Sequence, residues 1–334
     1  MDPFSYRIGF GSIFGLSDVE ALKTMDRPTI FRIPGEDHSR AVLVSTLLHG
    51  REPSGFRAFL REAETEKKYP FDVYFSVGNV QAAKIFPYFS QRDVPGKEDF
   101  NRVWVDTPCT EDQRVAAAMG EFFDTLPLVA FLDIHSYLAK TIPPHGVIPK
   151  MDTATKDLIG KLSLSAFLMD MNLGTLLERM GRKTTAVLVE TGVNNSPEAE
   201  IYADTTLQKF FEGVGISSGV GIPHHTKFYH KGIQFKIAED ASVTWADTKN
   251  TKYSLTLPLD LEHLNHRLVR EGEFLGWADS LEVFRTNDLE RHVEDYFYLQ
   301  EGKIRLKQNV VPNFLNVKED IMKKGGFYFF QEFS

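Results

Sequence analysis

The residues best suited to chemistry are His49 and Glu52. They stand three apart in His49-Gly50-Arg51-Glu52, directly after the apolar run 41–48 (AVLVSTLL), and Ser54-Gly55 follows. A histidine and a glutamate at a strand-to-helix turn can converge on one cation, and Gly50 permits a sharp bend between them. A third ligand has to come from elsewhere. His135 ends a second apolar run, 128–135 (LVAFLDIH), and is expected to point from the same sheet edge. Two histidines and one glutamate are a catalytic zinc set that leaves a position open for water. Asp133, two residues earlier, could accept the other ring N–H of a ligand histidine. His-x-x-Glu by itself is more often an exposed helix pair, and a single strand-end histidine is more often structural. The strand context of both favours the metal.

The elements that must carry these residues alternate along the first two-thirds of the chain. Residues 41–48, 72–80, 128–135 and 186–190 read as buried strands. Residues 54–66, 109–126, 153–171 and 198–213 read as helices, the second opened by a capping box at Thr110-x-x-Gln113. This order implies an α/β sheet with helices on both faces. Ligands bind at the carboxyl ends of strands in such sheets, which is where His49 and His135 fall. After about Gly215 short alternating runs appear (YSLTLPLDL, GKIRLKQNVV), separated by Gly, Asn, Asp and Pro. The division expected is a catalytic α/β domain over 1–215 and a smaller β-rich domain over 216–334.

Composition bounds the rest. The 334 residues are 42% hydrophobic and 25% charged, ordinary values for a globular chain able to bury a core. The 27 phenylalanines are read as core. The single cysteine, Cys109, allows no internal disulfide and favours a cytoplasmic home. A net charge of -8 argues against nucleic acid as a partner. The N-terminus has no signal-peptide pattern, and no apolar run reaches the roughly 18 residues of a membrane span, so no membrane partner is expected.

Four motifs then come in a telling order: His49-Gly50-Arg51-Glu52, Asp99-Phe100-Asn101-Arg102, Asp133-Ile134-His135 and Glu190-Thr191-Gly192. In this order they resemble the succinylglutamate desuccinylase/aspartoacylase family, which is related to the zinc carboxypeptidases. The resemblance is firm over 41–192. It continues weakly into Pro312-Asn313-Phe314-Leu315-Asn316 and Lys323-Lys324. It implies a zinc-carboxypeptidase-like mixed sheet flanked by helices, with the smaller β-rich domain walling the active site. It implies one Zn2+ per chain and hydrolysis of the amide bond of a small N-acyl amino acid, with succinyl or acetyl as the acyl group.

The resemblance also implies roles. Asn101 and Arg102 would grip a substrate carboxylate, the guanidinium through two parallel hydrogen bonds. Glu190 would activate the attacking water and later protonate the departing amine. The family adds an arginine for the developing oxyanion. Arg92 is the candidate, although it lies nine residues ahead of Asn101, further than the family pattern implies. Residues 94–97 would account for the difference. Arg51 departs from the family, which has Asn between the two ligands, and Asn79-Val80-Gln81-Ala82 lacks the family's proline.

Other residues receive plainer readings. His224, His225 and His230 cluster at the domain junction without an acid partner, and His263 and His266 have no partner in sight. His145 follows a Pro-Pro turn and could reach the pocket, without a role assigned. Cys109 lacks a His/Asn arrangement for nucleophilic chemistry, and Ser136 lacks a nucleophile elbow. Two rivals stand beside the deacylase reading. One is a metallocarboxypeptidase acting on short peptides. The other is a zinc-binding protein without catalysis. A homodimer is among the assembly states left open.

Overall fold

The computed structural model describes residues 2–65, 67–139, 143–169, 172–215 and 226–333. The chain divides into two compact units, Met1–Tyr137 with Pro144–Thr226, and Leu138–Pro143 with Lys227–Ser334.

The first unit runs β1 (Ser5–Ile8), α1 (Asp18–Lys23), β2 (Thr29–Ile33), β3 (Ala41–Thr46), α2 (Ser54–Ala63), β4 (Asp72–Val77), α3 (Val80–Lys84), α4 (Glu111–Asp124), β5 (Leu128–Tyr137), β6 (His145–Ile148), α5 (Thr153–Leu162), β7 (Ala166–Leu168), α6 (Leu176–Gly181), β8 (Thr185–Val193) and α7 (Pro197–Gly215). Its strands pair in the order β1-β2-β4-β3-β5-β8-β6-β7. The sheet is mixed: β3, β5 and β8 run parallel, while β2 is antiparallel to β4 and β6 to β8. The three central strands are buried almost throughout because both of their faces are covered.

Alternation along the strands builds two cores. Leu43, Phe131, Ala186, Leu188 and Val147 share a cluster with Trp104, with Met119 and Phe123 of α4, and with Leu176 and Met180 of α6. Helices α2, α5 and α7 also pack on the central strands. Along α2, Phe56, Phe59, Leu60 and Ala63 recur at helical spacing and are buried. Arg57 and Arg61 alternate with them and hold acids instead: Asp18 at 2.7 Å from Arg57, and Glu200 and Asp204 at 3.0 and 2.9 Å from Arg61. A Cβ on Gly55 would lie 2.8 Å from the Ile134 side chain, so glycine lets the first turn of α2 sit directly on β5. Among the described residues the largest fully buried side chains are all phenylalanines, from Phe31 to Phe297.

Two expected elements each give way to a second element within their expected span. The helix expected over 153–171 stops at Leu162, because Ser163 takes a left-handed conformation (φ 58°) and Ala166–Leu168 pairs beside β6 as β7. The strand expected over 72–80 stops at Val77. Asn79 then accepts from the Ala82 N–H and caps α3. The strands β1, β2 and β6 and the short helices α1, α3 and α6 are too short to show a period in the sequence.

The second unit runs β9 (Phe228–Ile237), β10 (Val243–Trp245), β11 (Leu255–Leu257), β12 (Phe274–Ala278), β13 (Phe284–Arg285), α8 (Val293–Tyr296), β14 (Phe297–Gln300), β15 (Lys303–Leu306), β16 (Val311–Asn313), α9 (Glu319–Lys324) and β17 (Phe327–Glu332). It is β-rich. β17 pairs antiparallel with both β9 and β16, and β10-β11-β12-β15-β14 form a separate sheet. Phe235 centres its core, with Phe297 and Phe329 at 5.0 and 5.5 Å between ring centroids. No helix among the described residues is long and apolar enough to cross a membrane.

Candidate metal centre

The site is the continuation of one sheet face past its apolar part. Leu43, Phe131 and Ala186 are in register, then Ser45, Asp133 and Leu188, then His135 and Glu190. Side chains two residues apart share a face. The row that begins in the core therefore turns polar at the carboxyl ends of β5 and β8, as the sequence led us to expect of an α/β sheet.

The turn after β3 brings in two more groups. Leu47 takes a positive φ of 54°, and the Glu52 N–H donates to the His49 carbonyl at 3.1 Å. This closes a tight turn. Gly50 is needed for space rather than for backbone freedom: a Cβ there would meet the Ala83 nitrogen at 2.4 Å. Its N–H donates to the Arg92 carbonyl at 2.9 Å, which pins the Arg92 loop to the turn.

His49, Glu52 and His135 converge. Each offers a donor atom, all within 4.8 Å of one another, and all three residues are buried. Among the described residues they are the one such group of His, Cys, Asp or Glu. The Glu52 carboxylate reaches both rings, Oε1 at 2.9 Å from His49 Nδ1 and Oε2 at 2.8 Å from His135 Nδ1. The opposite nitrogens face other acids. His49 Nε2 lies 3.1 Å from Asp99 Oδ1. His135 Nε2 lies 3.1 Å from Asp133 Oδ2, without the alignment of a hydrogen bond.

This arrangement fits a cation. A carboxylate beside each Nε2 favours the tautomer with its proton there, leaving the Nδ1 lone pairs turned towards Glu52. Lone pairs facing a carboxylate repel one another unless positive charge lies between them. Two imidazoles and a carboxylate with outer carboxylate partners are the donor set and support of a catalytic zinc site.

The acids around the rings draw positive charge to the cluster. Burial opposes ionisation of Glu52, but the two imidazoles outweigh it and hold the carboxyl well below the usual range. Burial likewise opposes a charged His135, yet Asp133 and Glu52 raise it well above the usual imidazole value. Asp99 is half-buried, and His49, Arg92 and Arg102 hold it far below the ordinary carboxylate range.

Glu190 stands on β8 in register with His135, and its Oε2 is buried without a hydrogen-bond partner. Burial pushes its carboxyl up to about 8, against the pull of His135 and Arg92 and with the push of Glu52 and Asp133. Arg92 lies beside the cluster. Its Nη2 is 2.7 Å from Asp99 Oδ2, and its Nη1 is 3.8 Å from Glu52 Oε1. Asn101 is buried with its side-chain oxygen accepting from the Leu176 N–H at 3.1 Å, so only its amide nitrogen is left to donate. Arg102 donates to the Asn101 carbonyl at 2.7 Å and is half-buried.

Asp99, in the Asp99-Phe100-Asn101-Arg102 motif, has a role that local sequence does not reveal. It joins His49 to Arg92 through one carboxylate. The Thr191 hydroxyl donates to the His135 carbonyl at 2.9 Å and meets the Ser54 hydroxyl at 3.1 Å, tying β8, β5 and α2 together. His145 is fully buried opposite Glu190 on β6. Arg51 is half-buried between the two ligands. His224 and His225 lie outside the described residues, and His230 packs its ring on Phe333. His263 bonds the Asp260 carbonyl and His266 bonds Asn313.

No protein-family model matches the chain. No curated protein sequence matches it. Solved structures do share its fold, many of them from the succinylglutamate desuccinylase/aspartoacylase family. A succinylglutamate desuccinylase/aspartoacylase from Rhodobacter sphaeroides superposes with a TM-score of 0.61 at 13% identity, covering 91% of this chain and 89% of the other. A succinylglutamate desuccinylase from Vibrio parahaemolyticus gives 0.53 at 13% identity, covering 86% and 88%. A product-bound ectoine utilization protein from Ruegeria pomeroyi gives 0.50 at 14% identity, covering 84% and 82%. At these identities the likeness is one of fold.

Proposed function

We propose that this chain, which has the fold of the succinylglutamate desuccinylases and aspartoacylases, is a zinc-dependent hydrolase of linear amide bonds that frees an amino acid from a small N-acyl amino acid. The observation that carries this reading is the buried convergence of His49, Glu52 and His135, with Glu190 in register beside it.

His49, Glu52 and His135 would hold one zinc ion. When bound there, zinc supplies a Lewis acid for the acyl carbonyl and acidifies the attacking water. Glu190 takes the proton of that water and later delivers it to the departing amine. Burial favours the protonated carboxyl that the second step needs, and the positive charge of a bound zinc would favour the carboxylate that the first step needs. Arg92 brings positive charge for the developing oxyanion while Asp99 fixes its guanidinium. Arg102 and the amide nitrogen of Asn101 take the carboxylate of the amino-acid half. The lone cysteine fits a reducing compartment, so the cytoplasm belongs to this reading.

The test is hydrolysis by zinc-loaded protein of N-succinylglutamate, N-acetylaspartate, N-acetylglutamate and a short peptide, with Glu190→Ala as control. Turnover of an N-acyl amino acid, abolished by the substitution and by chelation, is expected. Cleavage of the peptide alone would move the protein to the carboxypeptidases. Stoichiometric zinc with no turnover of any compound would favour a binding role.

A further inference from the structure

His145 is a second histidine beside the proposed base, and it comes from a different strand. The antiparallel pair β6–β8 places His145 directly opposite Glu190, just as the parallel pair β5–β8 places His135 there. Directly paired residues send their side chains to the same sheet face, with Cβ atoms about 5 Å apart. Glu190 therefore has a histidine as its register partner on each neighbouring strand, His135 on β5 and His145 on β6.

The surroundings of His145 make it a fixed wall. The residue is fully buried. Its ring meets Phe167 edge-on at 5.2 Å and Tyr137 at 6.0 Å between centroids. Phe167 belongs to β7, where it is in register with Val147 of β6, on the same face as His145. Tyr137 is two residues beyond His135 on β5. Three strands thus hold the imidazole in place. A glutamate side chain has three rotatable bonds, and Oε2 of Glu190 has no hydrogen-bond partner to fix it. Its direction is left to what packs against it.

We propose that His145 is a positioning residue for Glu190. It occupies the space on the β6 side of the carboxyl and offers a polar edge there, so that the carboxyl stays turned towards His49, Glu52 and His135. This rests on the hydrolase reading above. An apolar side chain at 145 would leave the carboxyl beside a surface it avoids, and a small one would leave room to turn away.

The experiment compares His145→Leu, which keeps volume without polarity, with His145→Gln, which keeps a polar edge. Two readouts are needed: steady-state kinetics of the zinc-loaded proteins on the N-acyl amino acid that wild type cleaves, and crystal structures of the zinc-free proteins. The leucine variant is expected to bind one zinc and to lose kcat on the order of a hundred-fold, the scale of a misplaced catalytic group. Its KM should stay within about two-fold, because ground-state binding is untouched. Its crystal structure should show the Glu190 carboxyl turned from the cluster, and glutamine should restore most of kcat and the side-chain direction. A folded, zinc-loaded leucine variant with wild-type kcat and an unmoved Glu190 overturns the proposal. So does a rise in KM alone, which would make His145 a substrate contact. Wild-type protein that cleaves no N-acyl amino acid sinks the hydrolase reading instead, while the zinc-free crystal structures still decide the positioning.

Discussion

Glu190 and His135 are register partners across the parallel pair β5–β8. A proposed general base and a proposed metal ligand are thereby held by the same ladder of backbone hydrogen bonds. Their separation does not depend on a flexible loop. Glu190→Gln should keep zinc stoichiometry and fold while kcat falls about 10²- to 10⁴-fold, the range for losing a general base. Metal analysis together with initial rates on the cleaved N-acyl amino acid decides it. Unchanged kcat would remove Glu190 from the mechanism.

Zinc should stabilise the folded chain. A ligand that binds only the native state adds about 2.7 kcal/mol at a hundred times its Kd. Thermal melting of the chelated protein should therefore shift upward as zinc is added. In Glu52→Ala the shift should vanish, since the carboxylate common to both imidazoles is gone. An equal shift in both proteins would mean that zinc binds elsewhere.

Asp99 supports His49 from behind while it also holds Arg92. Removing its charge in Asp99→Asn should weaken zinc binding about 10- to 100-fold, as for other outer partners of metal-ligating histidines. Competition with a chromophoric chelator measures this. An affinity equal to wild type would limit Asp99 to the orientation of Arg92.

Asn101 carries a structural load whatever it does to substrate. Its side-chain oxygen takes the N–H of Leu176 in the first turn of α6, an otherwise orphaned donor. Asn101→Ala should cost about 1–3 kcal/mol in urea unfolding of zinc-free protein, and Asn101→Asp, which keeps the acceptor, should recover most of it. Full stability in the alanine variant would contradict this role.

His266 makes stability depend on acid. Burial pushes its pKa down to about 4, although the hydrogen bond to Asn313 pulls it up. The unfolded chain, with an imidazole near 6.5, then binds more protons than the folded chain between pH 6.5 and 4. Stability is complete above pH 6.5 and declines as pH falls through this window, by up to about 3 kcal/mol from this group. Asparagine tolerates the positive φ of 60° at this position. His266→Asn should therefore flatten the fall in Tm between pH 6.5 and 4.5, and an unchanged slope would assign the effect to other groups.

The parts of this protein that depend on local spacing are legible in its sequence. His49 and Glu52 are three residues apart in one turn, Thr110 caps α4 through Gln113, and the apolar runs of β3, β5 and β8 announce strands buried on both faces. Each is a relation between near neighbours, fixed by backbone geometry and side-chain period. His135 was legible for the same reason, as the polar end of an apolar run. Which strand ends meet is set by long-range packing. That β8 lies between β5 and an antiparallel β6, and so sets Glu190 between His135 and His145, follows from pairings across tens of residues that no local pattern encodes. Asp99 reaching both His49 and Arg92, and Asn101 spending its oxygen on α6, have the same origin. Such hydrogen bonds form where packing brings chain segments together, and packing is a property of the whole sheet.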